Sequence, residues 1–296
     1  MITVMGATGN IGGRISELLL TAGQRVRALG RSVEKLAPLK ELGAEVLTGD
    51  AQDATFLTTA FRGTDAAFTL LPPDLHAMDF RRQQDQQGEA IAAAIRDSGV
   101  RVVVFLSSLG AELSTGTGPI AGLHAQEQRL RRLKNVNILI LRPTYFFENF
   151  LSTVGLIKHQ GINGGAAGPD VSMPMIATRD IAEVAAEALR RRDWSGVVVR
   201  ELLGPRDLSF AEATRIIGER IGQPDLPYVQ FPYEAFAASL VQMGISESVA
   251  GLYAEMSRAM NEGKVQSLEG RRAENSTPTR FEDFVTSSIV PAYEKA

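Results

Sequence analysis

A doubly wound parallel α/β sheet followed by a smaller, mostly helical C-terminal lobe is predicted by three observations. β-Branched runs at residues 2–5, 26–29, 45–48, 66–71, 102–106 and 138–141 alternate with helical patterns. A glycine cluster lies where the first run gives way to the first helical pattern. Past Arg142 the alternation breaks into Gly-rich loops and further helices.

Each element has a local reason. Ile11, Ile15, Leu18 and Leu19 fall at helical spacing and form one apolar face, and Gly23 ends that helix. Strands joined each time by a helical crossover are parallel, and the apolar run at 102–106 suits a strand buried on both faces. In the second half, a helix near 180–189 and a strand at 197–202 are expected, and segments at about 175–205 are expected to return to the main sheet. Ser209 and Glu212 form a capping-box pair after Gly204-Pro205 and start another helix. Residues 241–260, rich in Met and Ser, read as core or pocket-wall helices.

Composition removes several classes of function. The 296 residues carry a formal charge of −3 with both signs mixed, so no basic stripe for a nucleic acid is present. No run approaches the roughly 18 apolar residues that span a bilayer, and the start MITVMGATGN lacks a charged n-region, so a cytoplasmic protein without membrane partners is expected. With no cysteine there is no disulfide and no thiolate chemistry, and His76, His124 and His159 show no metal-ligand spacing. A monomer or homodimer is expected.

The glycine cluster reads Met5-Gly6-Ala7-Thr8-Gly9-Asn10-Ile11-Gly12. Gly6 suits a tight turn, Gly9 lets backbone approach a pyrophosphate, and Gly12 lets the helix lie close on the strand. The helix N-terminus adds free N–H groups and positive potential, which brings Thr8, Asn10 and Ile11 into the candidate set. Residues 1–150 therefore read as a dinucleotide-binding Rossmann domain, and 151–296 as a smaller substrate or partner lobe.

The end of the second strand selects the nicotinamide cofactor. It reads Leu29-Gly30-Arg31-Ser32, with no acid for a ribose hydroxyl, while the Arg31 fork matches a 2′-phosphate and Lys35 stands one turn on. NADP(H) is preferred over NAD(H) on this reading; the alternative is a solvated Arg31 beside a Ser32 helix cap. Asp50, after Gly49, is a candidate adenine contact or a plain turn.

The remaining candidates lie where later strands end. Leu71 and Pro72 are placed beside the cofactor and Pro73 in the substrate wall. Ser107 is a candidate for cofactor ribose or catalysis and Ser108 for substrate; both also suit strand-end capping. Tyr145 is assigned to the cofactor, and Phe146 and Asn149 to the far side of the pocket. His124 is the candidate proton donor, or a histidine that satisfies a backbone carbonyl.

GATGNIGG, Gly30-Arg31, Gly49-Asp50, Ser107-Ser108, His124, the segment RPTYFFEN from Arg142 and TRDIA from Thr178 together resemble the NmrA-like family of atypical short-chain dehydrogenases. The resemblance implies a Rossmann fold that binds NADP(H), in a family holding quinone reductases and also silent sensors of the nicotinamide redox state. Ordinary short-chain dehydrogenases use Tyr-x-x-x-Lys, in which lysine lowers the phenol pKa. Four positions beyond Tyr145, Tyr228, Tyr233 and Tyr253 stand Asn149, Pro232, Ala237 and Ser257, so the local pair is missing. Relatives carry His-x-x-x-Glu after the fifth strand; counting back from Arg142 aligns His124 with the histidine and Gln128 with the glutamate, leaving Glu127 out of register.

Three functions follow. The first is an NADPH-dependent reductase of quinones or similar conjugated carbonyls, since quinone reduction tolerates a weak acid. The second is a catalytically silent sensor that binds a regulator protein, and the third is a nucleotide-sugar epimerase.

Overall fold

A computed structural model describes residues 1–296. The first half alternates β1 (Ile2–Val4), α1 (Asn10–Thr21), β2 (Val26–Gly30), α2 (Val33–Glu41), β3 (Glu45–Thr48), α3 (Ala54–Phe61), β4 (Ala66–Thr69), α4 (Phe80–Ser98), β5 (Val102–Leu106), α5 (Ile120–Arg131) and β6 (Asn137–Pro143). The second half runs β7 (Tyr145–Phe146), a 3₁₀ turn (Phe147–Thr153), α6 (Val154–Gln160), β8 (Asn163–Gly165), β9 (Ser172–Ile176), α7 (Thr178–Arg191) and β10 (Val197–Leu202). It ends with β11 (Asp207–Ser209), α8 (Phe210–Arg220), β12 (Tyr228–Gln230), α9 (Tyr233–Gln242), α10 (Glu247–Asn261), α11 (Phe281–Phe284) and α12 (Val290–Lys295).

Seven strands make one sheet in the order β10-β6-β5-β4-β1-β2-β3, and every pairing is parallel. From β1 the chain first builds β2 and β3 on one side, then β4 on the other. The switch point between β1 and β4 is where such sheets bind ligands, outside the carboxyl ends of the strands. β10 joins this sheet against β6, with Val197 opposite Ile138, and α7 packs beside α1.

Ile15, Leu19, Ile181 and Leu189 fill one face of the sheet, and Phe61, Ile91, Ile95 and Leu130 the other. A third core, built around Phe147, Phe150, Phe210 and Phe281, belongs to the smaller lobe. β4 stops at Thr69, two residues before the expected strand end, because Leu70 and Leu71 lead into Pro72-Pro73, which have no N–H for a ladder. At α8, Ser209 Oγ accepts from Glu212 N at 3.1 Å, but the Glu212 carboxylate turns to Arg206 and leaves the capping box half made.

Residues 241–260, expected as core or pocket-wall helices, fall mostly in α10. α10 buries Val249, Ala250, Ser257, Ala259 and Met260, whereas α9 buries no residue, and Val241 and Met243 are exposed. No helix is long and apolar enough to cross a membrane.

Candidate dinucleotide and substrate site

The glycine loop is shaped by distances that forbid side chains. A Cβ on Gly12 would lie 2.4 Å from Gly6 O and 2.7 Å from Met5 O, so only glycine lets α1 approach this closely. Gly6 has φ +65°, the left-handed turn expected of it. Gly9 is exposed and caps α1 without a side-chain bond; the first backbone bond there is Gly13 N to Gly9 O at 2.9 Å. The amides of Asn10, Ile11 and Gly12 are therefore left free at a positive helix end. Ile11 can offer only that amide, because its side chain packs in the sheet core.

A groove of about 450 Å³ runs over this end of α1, lined by Ala7, Thr8, Gly9 and Asn10, by Arg14 and Lys35, and by Thr178 and Arg179 from α7. Gly30 closes on the loop from β2, since a Cβ there would meet Thr8 Cγ2 at 2.7 Å. Arg31 is exposed and makes no ion pair, while Ser32 Oγ accepts from Lys35 N at 3.2 Å. The helix cap and an unpaired Arg31 thus coexist. Asp50 is exposed, and its carboxylate accepts from Gln52 N at 2.9 Å, the geometry of a turn.

Beyond the switch point, two loops and one helix carry or adjoin the candidate substrate residues. Leu71 is buried in the core, whereas Pro73 is exposed. Pro72 O accepts from Gln87 Nε2 at 2.9 Å, which fixes the β4 loop to α4. α10 spans from this loop to the next. Ser246 Oγ donates to Ala77 O at 2.7 Å, and Gly118, before α5, lies beneath α10, where a Cβ would be 2.1 Å from Leu252 O.

Ser107 follows β5 and donates to Glu127 Oε1 at 2.6 Å. Arg142 grips the same carboxylate with Nε at 2.9 Å and Nη2 at 2.7 Å, and reaches Glu112 at 3.1 Å. Burial disfavours the charge on Arg142, but Glu127 and Glu112 outweigh it and raise its pKa. Ser108 Oγ turns to Leu109 O at 2.9 Å. Glu127 is fully buried, whereas Gln128, the position that the count from Arg142 aligns with the relatives' glutamate, is exposed.

His124 Nδ1 lies 2.9 Å from Ala111 O, so in the neutral ring Nδ1–H is donated to that carbonyl and Nε2 is left free. No hydrogen bond joins His124 to Glu127. Tyr145 packs edge-on against Phe150 and Phe210, ring centroids 5.7 and 5.3 Å away, and burial pushes its phenol up to about 12 despite an opposing bond with Asn149. Phe146 packs against the core beside α1, and Asn149 is exposed in the 3₁₀ turn. Lys158 Nζ lies 4.4 Å from the centre of the Tyr293 ring and donates to the Tyr293 backbone O at 3.2 Å, while the phenol oxygen is bound by Gln223 instead. The fold therefore does not rebuild a Tyr-Lys pair.

Several site residues carry no signal at the sequence level. Glu148 accepts from Thr178 N at 3.0 Å and Thr178 Oγ1 at 2.6 Å, capping α7 from thirty residues away. Asp180 accepts from Thr279 N at 3.0 Å and ties the C-terminal segment to α7. Their place within RPTYFFEN and TRDIA is visible in the sequence, but not their partners.

Known proteins share this architecture. The (4-alkanoyl-5-oxo-2,5-dihydrofuran-3-yl)methyl phosphate reductase of Streptomyces griseus is 28% identical over 272 residues, covering 92% of this chain and 87% of its own. The structure of NADPH-dependent quinone oxidoreductase from Escherichia coli, complexed with NADPH, matches with a TM-score of 0.81 at 21% identity over 98% of this chain and 100% of its own. Triphenylmethane reductase of Citrobacter sp., complexed with NADP(H), matches with a TM-score of 0.78 at 23% identity over 100% of both chains. The sequence profile of the NmrA-like family matches residues 1–285, and the chain belongs to that family.

Proposed function

We propose that the protein is an NADP(H)-dependent reductase of quinones or similar flat conjugated carbonyls. The observation that carries this reading is a glycine-loop cradle at the start of α1, beside strand ends that offer no Tyr-Lys pair as proton donor. The cradle fits the cofactor: a Cβ on Gly12 would strike the loop, three α1 amides are free, and Arg31 stands unpaired at the end of β2. When bound, the reduced nicotinamide supplies a hydride to the acceptor.

The chain's own groups then divide the work. Ser107 has one proton and gives it to Glu127, so toward a ligand its oxygen is an acceptor, suited to a ribose hydroxyl or a carboxamide N–H. Tyr145 keeps its proton at neutral pH and has no lysine to release it. That leaves His124 Nε2, which donates only when the ring is the imidazolium. An isolated ketone would need a stronger acid. A quinone gains aromaticity on accepting hydride, and water or His124 delivers the proton that completes the hydroquinone. The redox-sensor and epimerase readings have no observation of their own here.

The test is fluorescence titration with NADPH and NADH, followed by cofactor oxidation across a quinone panel. Micromolar NADPH binding with turnover above the solution rate is expected. Binding without turnover overturns the reductase in favour of the sensor, and no binding overturns both.

A further inference from the structure

Arg179 opens α7, almost thirty residues beyond the expected nucleotide domain, yet it borders the same groove as Gly9 and Asn10. Its Nε donates to Thr279 Oγ1 at 2.9 Å, and its nearest carboxylate oxygen, on Asp180, is 3.9 Å away. Asp180 is already engaged by Thr279 N at 3.0 Å and Thr279 Oγ1 at 2.5 Å. The guanidinium is thus moored through one nitrogen, and Nη1 and Nη2 remain unpartnered on a half-exposed side chain.

Two helix ends meet at this place and only one is open to an anion. The start of α7 is filled by Glu148, which takes Thr178 N and Thr178 Oγ1. The start of α1 has no side-chain cap. Around it the groove carries three cations, Arg14, Lys35 and Arg179, against one acid, Glu17, which pairs with Arg14 at 3.3 Å. A doubly charged diester fits that balance, and a guanidinium fork matches its oxygens.

We propose that Arg179 binds the pyrophosphate of the dinucleotide from the side opposite Lys35, so that the second half of the chain completes the cofactor site. This rests on the NADP(H) reading above. Each residue of the TRD segment then has a distinct role, in which Thr178 receives Glu148, Arg179 faces the ligand, and Asp180 holds the threonine that aims Arg179. Thr279 is a positioning residue in this arrangement. Cofactor binding is thereby linked to the C-terminal segment that includes Thr279.

The experiment measures dissociation constants of NADPH and NADH by fluorescence for the full chain, Arg179→Ala, Arg179→Lys and Thr279→Val, with circular dichroism as the check on folding. Loss of one charge-assisted pair predicts roughly a ten-fold weakening in Arg179→Ala. The weakening is expected to be equal for both nucleotides, which share the pyrophosphate, with Arg179→Lys and Thr279→Val in between. Unchanged constants for Arg179→Ala overturn the proposal. A loss confined to NADPH overturns it too, by assigning Arg179 to the 2′-phosphate. A wild-type chain that binds neither nucleotide overturns the proposed function itself, and this assignment with it.

Discussion

Ser107 donates a hydrogen bond to Glu127 at 2.6 Å, and Arg142 binds the same buried carboxylate with two nitrogens. Removing Glu127 leaves Arg142 charged and without its main partner in the interior. Breaking such a pair costs about 3–5 kcal/mol. Glu127→Ala is expected to lose that much in urea unfolding, whereas Ser107→Ala loses about 1 kcal/mol. Equal small losses would show that the pair contributes little to stability.

Gly12→Ala places a methyl 2.4 Å from Gly6 O, against backbone that cannot rotate away. Overpacking of this kind costs about 1–3 kcal/mol. The expected result is a lower melting temperature together with loss of nucleotide binding, because α1 must move off the loop. Gly9→Ala meets nothing closer than 3.5 Å and is expected to keep the fold.

Arg31 and Arg179 are expected to differ in what they read. Arg31→Ala weakens NADPH about ten-fold and leaves NADH unchanged, since only NADPH carries the 2′-phosphate that a free guanidinium binds. Paired titrations with the two nucleotides check this. An equal loss for both would return Arg31 to the role of a solvated charge.

His124→Gln tests the weak-acid argument. A full general acid contributes about 10²–10⁴-fold. Because water also reaches a hydroquinone oxygen, turnover of a quinone is expected to fall by only about ten-fold. A loss of about a thousand-fold would make His124 the obligatory donor.

Alkaline pH is expected to destabilise the smaller lobe. Burial raises Tyr145 to about 12 and drives Tyr228 upward as well, above the unfolded value near 10. The folded state therefore keeps protons that the unfolded chain gives up. This stabilisation is whole below about pH 10 and declines as pH rises toward about 12. For Tyr145 it is on the order of 2 to 3 kcal/mol. Unfolding followed by ultraviolet absorbance between those limits would show tyrosinate appearing together with loss of structure; early ionisation without unfolding would contradict it.

The parallel sheet and the glycine loop are legible in the sequence because both depend on local rules. Alternating apolar runs demand crossovers, and glycines at 6 and 12 answer to a turn and a close approach a few residues away. Residues 241–260 read as core or pocket-wall helices; α10 buries Val249, Ala259 and Met260 while Val241 and Met243 are exposed, since apolar spacing marks a helix face but does not name what covers it. That Glu127 meets Ser107 and Arg142 while Gln128 is exposed depends on contacts that the sequence does not name.

What the sequence by itself determined is the fold, the family and the place of the dinucleotide loop. Which residues serve it was decided only in three dimensions: Ser107 faces Glu127, Glu148 closes α7, and Arg179 borders a groove begun about 170 residues earlier. The physical reason is range. Backbone conformation follows from neighbours along the chain, whereas the direction of a hydroxyl proton or the pairing of a guanidinium depends on groups that packing alone brings within about 3 Å.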